Sequence, residues 1–254
     1  MITLSDVSLT LGDRQILKNV SLDVQPGETR AILGGSGSGK TTILRLILGL
    51  YHPDQGSIKV AGQEISTLTE RELFAVRQQM AMVFQSAALF DSLTVHDNVG
   101  YRLWEQGYLP DEQIEQIVRE SLRFVGLEDI LDKMPAELSG GMRKRVGIAR
   151  ALASGAKILL YDEPTAGLDP INTCLIARLI QRLKAKGVTQ VVVTHDLDAA
   201  YQVADRLAMI HKGRVLFDGT GEELKQSDKA AVREFLDPSR LLPAEWAPLP
   251  ADMG

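Results

Sequence analysis

The most constraining stretch of this sequence is the glycine-rich run from Gly34 to Thr41, which reads GGSGSGKT. An apolar run, 29–33, precedes it and a helix-like run, 42–50, follows it, so the order is strand, loop, helix. The spacing fits G-x-x-x-x-G-K-[ST], a loop whose backbone N–H groups cradle phosphates. Its glycines carry no Cβ, so the backbone can adopt positive φ and turn those N–H groups inward. The sequence therefore predicts a nucleotide phosphate site at this loop.

Two side chains at the end of the loop carry most of the expected chemistry. Lys40 is predicted to reach the β- and γ-phosphates, and the Thr41 hydroxyl is predicted to bind Mg²⁺. The helix that follows adds unpaired N–H groups and a positive dipole end, which stabilise an anion there. The predicted nucleotide contacts are Gly34, Gly35, Ser36, Gly37, Ser38, Gly39, Lys40, Thr41 and Thr42.

The composition argues against several other classes of protein. With 254 residues, the chain has room for one large domain or for a domain with a subdomain. Its formal net charge is −5, whereas a general nucleic-acid binder carries a basic face. The single cysteine, Cys174, cannot form an internal disulfide or a multi-cysteine metal site. We expect Cys174 to be a small buried residue in a reducing cytosol, and we expect no nucleic acid among the partners.

The sequence predicts no membrane-spanning segment. A spanning helix needs about 18 or more apolar residues, and Arg45 interrupts the nearest candidate, 43–50. Residues 1–6 lack the basic and apolar regions of a secretion signal. If the protein acts at a membrane, we expect it to work from the cytoplasm, docked on a partner that spans the membrane.

Hydrophobic patterns divide the chain into regions of different architecture. Apolar and polar residues alternate over 2–24, with a phase slip at Ser5-Asp6, which indicates an antiparallel sheet with one wet face. Elsewhere, continuous apolar strands alternate with helices, which predicts a parallel sheet covered on both faces. Residues 86–153 lack strand signals and are predicted to be an all-helical insertion subdomain. The predicted fold class is α/β, with one domain over 1–236 and a proline-rich tail, 237–254.

Two helix starts are marked by capping residues. Thr69-x-x-Glu72 is a capping box, and Asp169-Pro170 places a cap residue before a proline at the first helical position. The predicted buried face of the second helix is Ile171, Leu175, Ile176, Leu179, Ile180 and Leu183.

Two acids and a histidine stand at the ends of predicted sheet strands. The strand 158–161 runs into Asp162 and Glu163, and the strand 190–194 runs into His195. Ligands of parallel sheets bind at the carboxyl ends of the strands. Asp162 is therefore predicted to reach Mg²⁺, and Glu163 to orient or deprotonate a water molecule. His195 reads in isolation as a turn histidine, but at this edge it can hydrogen-bond the γ-phosphate.

A second glycine pair lies far from the first along the chain. Leu138-Ser139-Gly140-Gly141-Met142 opens a helix, which Ser139 can cap. The glycines leave the first N–H groups of that helix open to an anion. The basic run 143–145 is expected to be a solvated or structural face rather than a nucleic-acid site. The chain thus predicts two anion sites, and the second needs an explanation.

These motifs together resemble those of the ABC-type ATPases, a family of P-loop NTPases. The matches are 34–41 to Walker A, Gln85 to the Q-loop, 138–142 to the signature, Asp162 and Glu163 to Walker B and the catalytic glutamate, 166–169 to the D-loop, and His195 to the switch histidine. The resemblance covers about residues 1–225. It implies a RecA-like parallel-sheet core, an antiparallel β subdomain and an α-helical insertion subdomain.

The resemblance also implies a use for the second anion site. In the family, two copies pack head to tail, and each ATP lies between Walker A of one copy and the signature of the other, here Ser139, Gly140 and Gly141. ATP and Mg²⁺ are the implied cofactors. The implied catalytic residues are Glu163, His195 and Gln85, and the implied metal contacts are Thr41, Gln85 and Asp162.

Three positions depart from the usual family pattern. The signature ends in Met142 where Gln is usual, and the D-loop begins Ala166-Gly167 where Ser-Ala is usual. Leu11 stands near the position where many members carry an aromatic that stacks on adenine. The Met-ended signature and Leu11 both suit the MlaF-type subfamily, which drives phospholipid movement. Further resemblance to that subfamily lies in 85–90, 94–99, Arg145, Asp169-Pro170 and 232–236.

The MlaF-type resemblance implies the partners and the location. It implies a homodimer joined through ATP, integral-membrane permease subunits, an MCE-type lipid-binding protein and a small cytoplasmic regulatory subunit, at the inner face of the cell membrane. Ala87–Phe90 is expected to line the groove that receives a permease helix. The alternative for Leu89 and Phe90 is that they form the core of the helical insertion.

Two other functions are left open. One is an ABC ATPase for another cargo, such as an amino acid or a lipoprotein. The segment 85–98 argues against this alternative. The other is a soluble ABC protein of DNA repair or translation. Such proteins carry two cassettes or a long coiled-coil insertion, whereas this chain has one cassette and a short insertion.

Overall fold

The computed structural model describes residues 1–237. The strands in that part of the chain are β1 Ile2–Leu11, β2 Arg14–Val24, β3 Thr29–Leu33, β4 Gln55–Val60, β5 Gln63–Glu64, β6 Met80–Val83, β7 Ile158–Asp162, β8 Thr189–Thr194, β9 Arg206–His211 and β10 Arg214–Gly219. The helices are α1 Lys40–Ile47, α2 Glu70–Arg77, α3 Val95–Gln106, α4 Asp111–Phe124, α5 Gly140–Ala153, α6 Pro170–Ala185, α7 Leu197–Val203, α8 Gly221–Gln226 and α9 Ala230–Leu236. The predicted tail, 237–254, lies outside the described residues apart from Asp237.

A four-stranded antiparallel sheet forms the first part of the fold, in the order β2-β1-β4-β5. The register of β1 against β2 shifts between Leu4 and Val7, and Asp6 has a φ of 50° there. This bulge confirms the phase slip in the sequence. The inward side chains of this sheet, such as Ile2 and Leu4, pack in one core with the apolar face of α1.

A six-stranded sheet forms the centre of the fold, in the order β10-β9-β3-β8-β7-β6. All its pairings are parallel except that of β10 with β9. Strand β3 is buried along its whole length because β8 and β9 flank it and helices cover both faces. The parallel strands end at one edge, so the residues that follow β3, β6, β7 and β8 are neighbours there.

Residues 86–153 contain helices α3, α4 and α5 and a 3₁₀ turn, Pro135–Glu137, and no strand lies within that stretch. Helix α4 starts after Pro110 and gives way to Gly126, which has a φ of +68°. Its apolar stripe, Ile114, Val118 and Leu122, is buried against α5. The helical character predicted for this insertion agrees with the structure. Across residues 1–237, every helix is too short or too polar to traverse a bilayer.

Helix α6 corrects one prediction. Asp169 caps it as expected, accepting a hydrogen bond from the Asn172 N–H. However, Ile171 is 74% exposed and Leu175 is 37% exposed. Residues are spaced about 100° apart around a helix, so the stripe that faces the sheet consists of Ile176, Ala177, Leu179, Ile180 and Leu183. Ile171 and Leu175 project away from this stripe, and Cys174, predicted to be buried, is only half-buried.

Candidate functional site

A cavity of about 780 Å³ opens at the carboxyl edge of the central sheet. The predicted site residues that line it are Gly35, Ser36, Gly37, Lys40, Thr41, Gln85, Asp162, Glu163 and His195. They come from four segments of the chain that are far apart in sequence. Parallel pairing brings these segments together because β3, β6, β7 and β8 all end at this edge.

The glycine-rich loop wraps around the start of α1. Gly39 has a φ of +107°, and a Cβ there would lie 2.7 Å from Leu17 Cδ2. At Gly34, a Cβ would lie 2.4 Å from the Ile210 carbonyl oxygen. These contacts exclude larger side chains at both positions. The Lys40 ammonium donates to the carbonyl oxygens of Gly34, at 2.8 Å, and Gly35, at 3.1 Å.

Ser38 offers an unused polar group within the loop. Its hydroxyl oxygen is buried and has no hydrogen-bond partner among the described residues. A buried hydroxyl without a partner costs free energy, which a phosphate oxygen could recover. The loop therefore fits the nucleotide phosphate that the sequence predicts.

Thr41 and Asp162 meet where α1 begins and β7 ends. The Thr41 hydroxyl donates to Asp162 Oδ1 at 2.9 Å. Burial raises the pKa of Asp162, although the hydrogen bond from Thr41 opposes this shift. A cation would compensate the buried carboxylate. Hydroxyl and carboxylate oxygens are the ligands that Mg²⁺ prefers, so this pair fits that ion. The exposed Gln85 lines the same cavity.

Glu163 stands between two partners. Its Oε1 lies 3.6 Å from Lys40 Nζ, and its Oε2 lies 2.9 Å from His195 Nδ1. The backbone N–H of His195 also donates to Oε2, at 3.3 Å. Glu163 has a φ of 49°, and its own N–H donates to the Val193 carbonyl at 2.9 Å. The chain thus turns sharply after β7 and aims this carboxylate into the cavity.

Sequence reasoning missed one wall of the cavity. Helix α9 contributes Glu234 and Phe235, and α7 and β9 contribute Leu197 and His211. Glu234 and Phe235 lie within 232–236, a stretch that resembles the MlaF type, but that resemblance did not place them at the nucleotide cavity. They reach the site because β9 pairs with β3, which carries the end of the chain back to the phosphate loop. The apolar spacing of α9, with Val232 fully buried, is a second signal that could have indicated a packed helix here.

The second glycine pair does not line this cavity. Ser139 caps α5 by accepting a hydrogen bond from the Met142 N–H at 3.2 Å, and both Ser139 and Gly140 are exposed. Gly141 faces α6 instead, where a Cβ would lie 2.3 Å from Asn172 Oδ1. Gly141 is therefore also required for packing, which the sequence did not reveal. Within one chain, the two predicted anion sites are separate.

Comparison with known families decides what this arrangement is. Residues 17–166 match the family model described as "ABC transporter". The chain belongs to the ABC transporter family. The predicted fold class, a P-loop NTPase of the ABC type, is confirmed, and so is ATP hydrolysis as its activity.

Two individual relatives show which members of the family this chain is similar to. The intermembrane phospholipid transport system ATP-binding protein MlaF of Haemophilus influenzae is 43% identical over 93% of this chain and 90% of its own length. The methionine import ATP-binding protein MetN of Clostridium tetani is 40% identical over 96% of this chain and 77% of its own length. The resemblance to the MlaF type is thereby confirmed.

Solved structures agree with this placement. One is the dimeric post-hydrolysis state of the ATP-binding cassette MJ0796 bound to ADP and Pi. It superposes with a TM-score of 0.79 and 33% sequence identity, covering 87% of this chain and 99% of that one.

Proposed function

We propose that this chain is the ATP-hydrolysing subunit of a phospholipid transporter, working as a homodimer at the inner face of the cell membrane. The observation that carries the enzymatic part is Glu163, held between Lys40 and His195 over the phosphate loop. The similarity to MlaF supports the cargo. The proposed nucleotide-binding domain is 1–236, with a helical subdomain over about 86–153.

The phosphate loop and Lys40 bind the triphosphate in this proposal. The Lys40 ammonium already points into the loop, where it donates to two carbonyl oxygens. A γ-phosphate between Lys40 and His195 would accept hydrogen bonds from both side chains. The N–H groups at the start of α1 add the neutral donors.

Thr41 and Asp162 are the residues that would hold Mg²⁺, with Gln85 as a third oxygen ligand. When bound there, the ion neutralises charge on the β- and γ-phosphates. Asp162 is suited to this because its carboxylate is partly buried and forms no ion pair within residues 1–237, although the charges of Arg45 and Lys40 favour its ionised form.

Glu163 acts on the attacking water. Its carboxylate can accept a proton from that water or orient it toward the γ-phosphate. His195 fixes the carboxylate through Nδ1, which leaves Nε2 free to face the phosphate. In this proposal, Nδ1 of His195 holds the base, Glu163, and Nε2 of the same ring contacts the phosphate.

A second copy of the chain completes each site. The signature residues Ser139 and Gly140 are exposed and lie outside the cavity of their own chain. A reciprocal pairing would bring them over the phosphate loop of the other copy, which makes two equivalent sites. The dimeric state of MJ0796, whose fold this chain shares, supports this assembly.

A second cavity of about 780 Å³ is the proposed docking groove for a permease. It lies between β6, α2, α3 and α5, and several of its aromatic side chains are exposed, namely Phe74, Phe84, Phe90, Tyr101 and Tyr108. Exposed aromatics that share a groove are typical of a protein-binding surface. The proposed occupant is a cytoplasmic helix of an integral-membrane subunit.

The segment after Gln85 connects the two cavities. Arg150 of α5 donates to the carbonyl oxygens of Ala87, at 2.9 Å, and Ala88, at 2.8 Å. Leu89 packs against the core of the helical region. Phe90 is 44% exposed and stacks on Tyr101 in the groove, with ring centroids 4.7 Å apart. Leu89 therefore belongs to the core of the helical region, and in this proposal Phe90 belongs to the groove that receives the permease helix.

The cargo proposal can be tested in membranes. The full chain is purified from its host together with the membrane proteins that bind it, and the complex is reconstituted in vesicles with a fluorescent phospholipid. ATP is expected to move the lipid, and the Glu163→Gln variant is expected not to. An MCE-type protein and a small regulatory subunit are expected in the complex. ATP-dependent methionine uptake without lipid movement would instead support a function like that of MetN.

A further inference from the structure

Lys144 is a charged residue inside the protein. It lies in the second turn of α5, and only 6% of its surface is exposed. Its ammonium donates to the backbone carbonyl oxygens of Ala166, at 2.6 Å, and Glu163, at 3.4 Å. Within residues 1–237 it forms no ion pair with a carboxylate. Its charge is thus directed at the turn that carries Glu163.

The neighbouring cations of α5, Arg143 and Arg145, bind carbonyl oxygens of the helical region rather than the turn of Glu163. Arg143 donates to the Leu138 carbonyl at 2.8 Å, and Arg145 donates to the Val125 carbonyl at 3.2 Å. Both bonds stay within the helical region. Lys144 alone of the three reaches from α5 to the end of β7. Burial lowers the pKa of Lys144, while the charge of Glu163 opposes this shift.

The turn that Lys144 contacts needs support. Glu163 adopts a left-handed φ of 49°, a conformation that residues with a Cβ seldom adopt unless their surroundings hold it. The Ala166 N–H donates to the Glu163 carbonyl at 3.2 Å, which closes the turn. The ammonium binds a carbonyl at each end of this closed turn. Removing it would free the backbone that sets the direction of the Glu163 carboxylate.

We propose that Lys144 is a positioning residue for Glu163, and that it couples this glutamate to the signature helix of the same chain. Helix α5 begins at Gly140, directly after Ser139, so a shift of the signature moves Lys144 with it. This inference rests on the proposed function, in which that signature contacts the ATP of the partner copy. When the signature of one copy closes on the ATP of the partner copy, Lys144 then repositions Glu163 of the first copy.

Mixed dimers of the full chain separate this role from a structural one. In the first dimer, a Lys144→Met copy is paired with a Glu163→Gln copy, so the working glutamate belongs to the altered chain. In the second dimer, a copy with both substitutions is paired with a native copy. The working glutamate is then native, and the altered signature helix lies opposite it. Two affinity tags isolate each mixed dimer, and a native copy paired with Glu163→Gln is the reference.

The rate of hydrolysis should fall in the first dimer and not in the second. We expect kcat to fall about 10- to 100-fold in the first, because displacing a catalytic group by about 1 Å costs rate on that scale. The KM for ATP should stay near that of the reference in both dimers. Lys144→Arg should restore most of the rate, since a guanidinium also donates to two carbonyls.

Equal rates in the two dimers, or a loss confined to the second, would overturn the proposal. Arg145→Met is the matched control, because it also removes a cation of α5 that binds a carbonyl. It should affect the two arrangements equally. Thermal unfolding of each chain checks that it is folded. If native copies do not associate with ATP at all, the proposed function fails first, and this proposal fails with it.

Discussion

Two cavities of the same volume, about 780 Å³ each, lie on this chain and differ in the residues that could recognise a ligand. One side of the nucleotide cavity consists of glycines, hydroxyls and charged groups at the ends of buried strands, and the other is the wall formed by α7 and α9. The groove is lined by five exposed aromatic side chains, from α2, α3 and the loops beside them, together with the methionines of β6. The first recognises its ligand through fixed backbone and charge, whereas the second offers apolar area to a partner.

This difference assigns ATP binding and hydrolysis to one cavity and association with the membrane partner to the other. Substitutions in the nucleotide cavity should change binding and hydrolysis of ATP but leave association with the membrane partner intact. Substitutions in the groove should do the reverse. The segment after Gln85 runs from the nucleotide cavity to the groove, and helix α5 contacts both the turn of Glu163 and the groove. Residues there are therefore expected to affect both properties.

The largest expected effect is that of Glu163→Gln. The amide keeps the shape of the carboxylate but cannot accept a proton, and general-base catalysis contributes about 10²- to 10⁴-fold. Hydrolysis measured by phosphate release should fall within that range, while ATP affinity is preserved. Recovery of the membrane partner with the variant should match the native chain. A variant that retains native turnover would remove Glu163 from the mechanism.

Lys40→Ala should weaken ATP binding about 10- to 100-fold, because hydrogen bonds to charged groups are worth about 1.5–3 kcal/mol. Isothermal titration calorimetry gives the affinity directly. Lys59→Ala removes an exposed lysine of β4 and serves as the control, with no expected change. Unchanged affinity in Lys40→Ala would contradict the proposed phosphate contact.

A smaller effect, and the opposite selectivity, is expected for Phe90→Ala. It removes the ring that stacks on Tyr101, so affinity for the membrane partner should fall about 5- to 30-fold, equivalent to about 1–2 kcal/mol. ATP affinity of the isolated chain should not change. Leu50→Ala, which truncates a 55% exposed leucine outside both cavities, is the control. Equal loss of partner binding in both variants would argue against the groove.

The smallest expected effect concerns pH and is confined to the helical region. His96 of α3 bonds Asp97 at 3.1 Å and Glu115 of α4 at 2.5 Å, and Glu115 also pairs with Arg119. Partial burial lowers the pKa of His96, but the bonds to the two acids outweigh it and raise the pKa overall. The resulting stabilisation is fully present below the unfolded pKa of about 6.5 and is lost as pH rises through the folded pKa.

Thermal unfolding at pH 6 and pH 8.5 tests this sign. The native chain should lose stability toward pH 8.5 relative to His96→Gln, by less than about 1 kcal/mol because the pair is partly solvated. ATP affinity should show no such dependence on His96. A pH response of equal size in native and variant chains would contradict the assignment.

The sequence predicted the residues of the nucleotide cavity better than those of the groove. Phosphate chemistry demands certain residue types at fixed spacing, so 34–41, Asp162, Glu163 and His195 were recognisable, and parallel pairing brings them together. The groove needs only apolar area, which many residues can supply. Of its exposed aromatics, Phe90 alone was anticipated, while Phe74 and Tyr108 carry no local signal.

Two further features, the buried face of α6 and the burial of Lys144, depend on tertiary contacts that the sequence does not show. Helical spacing alone did not show that Ile171 lies off the buried stripe of α6, because the direction of the stripe depends on where the sheet lies. Lys144 sat within a basic run expected to be a solvated or structural face. That expectation did not show which member of the run is buried, since only tertiary contact brings the turn after β7 beneath α5.

The central claim is that each ATP site is shared between two copies, and light scattering of the full-length Glu163→Gln variant tests it most directly. With ATP and Mg²⁺, the variant should double its mass. With a further Ser139→Arg substitution it should bind ATP but keep the mass of a single chain. The account is contradicted if Glu163→Gln binds ATP without doubling its mass, or if the Ser139→Arg form dimerises equally well.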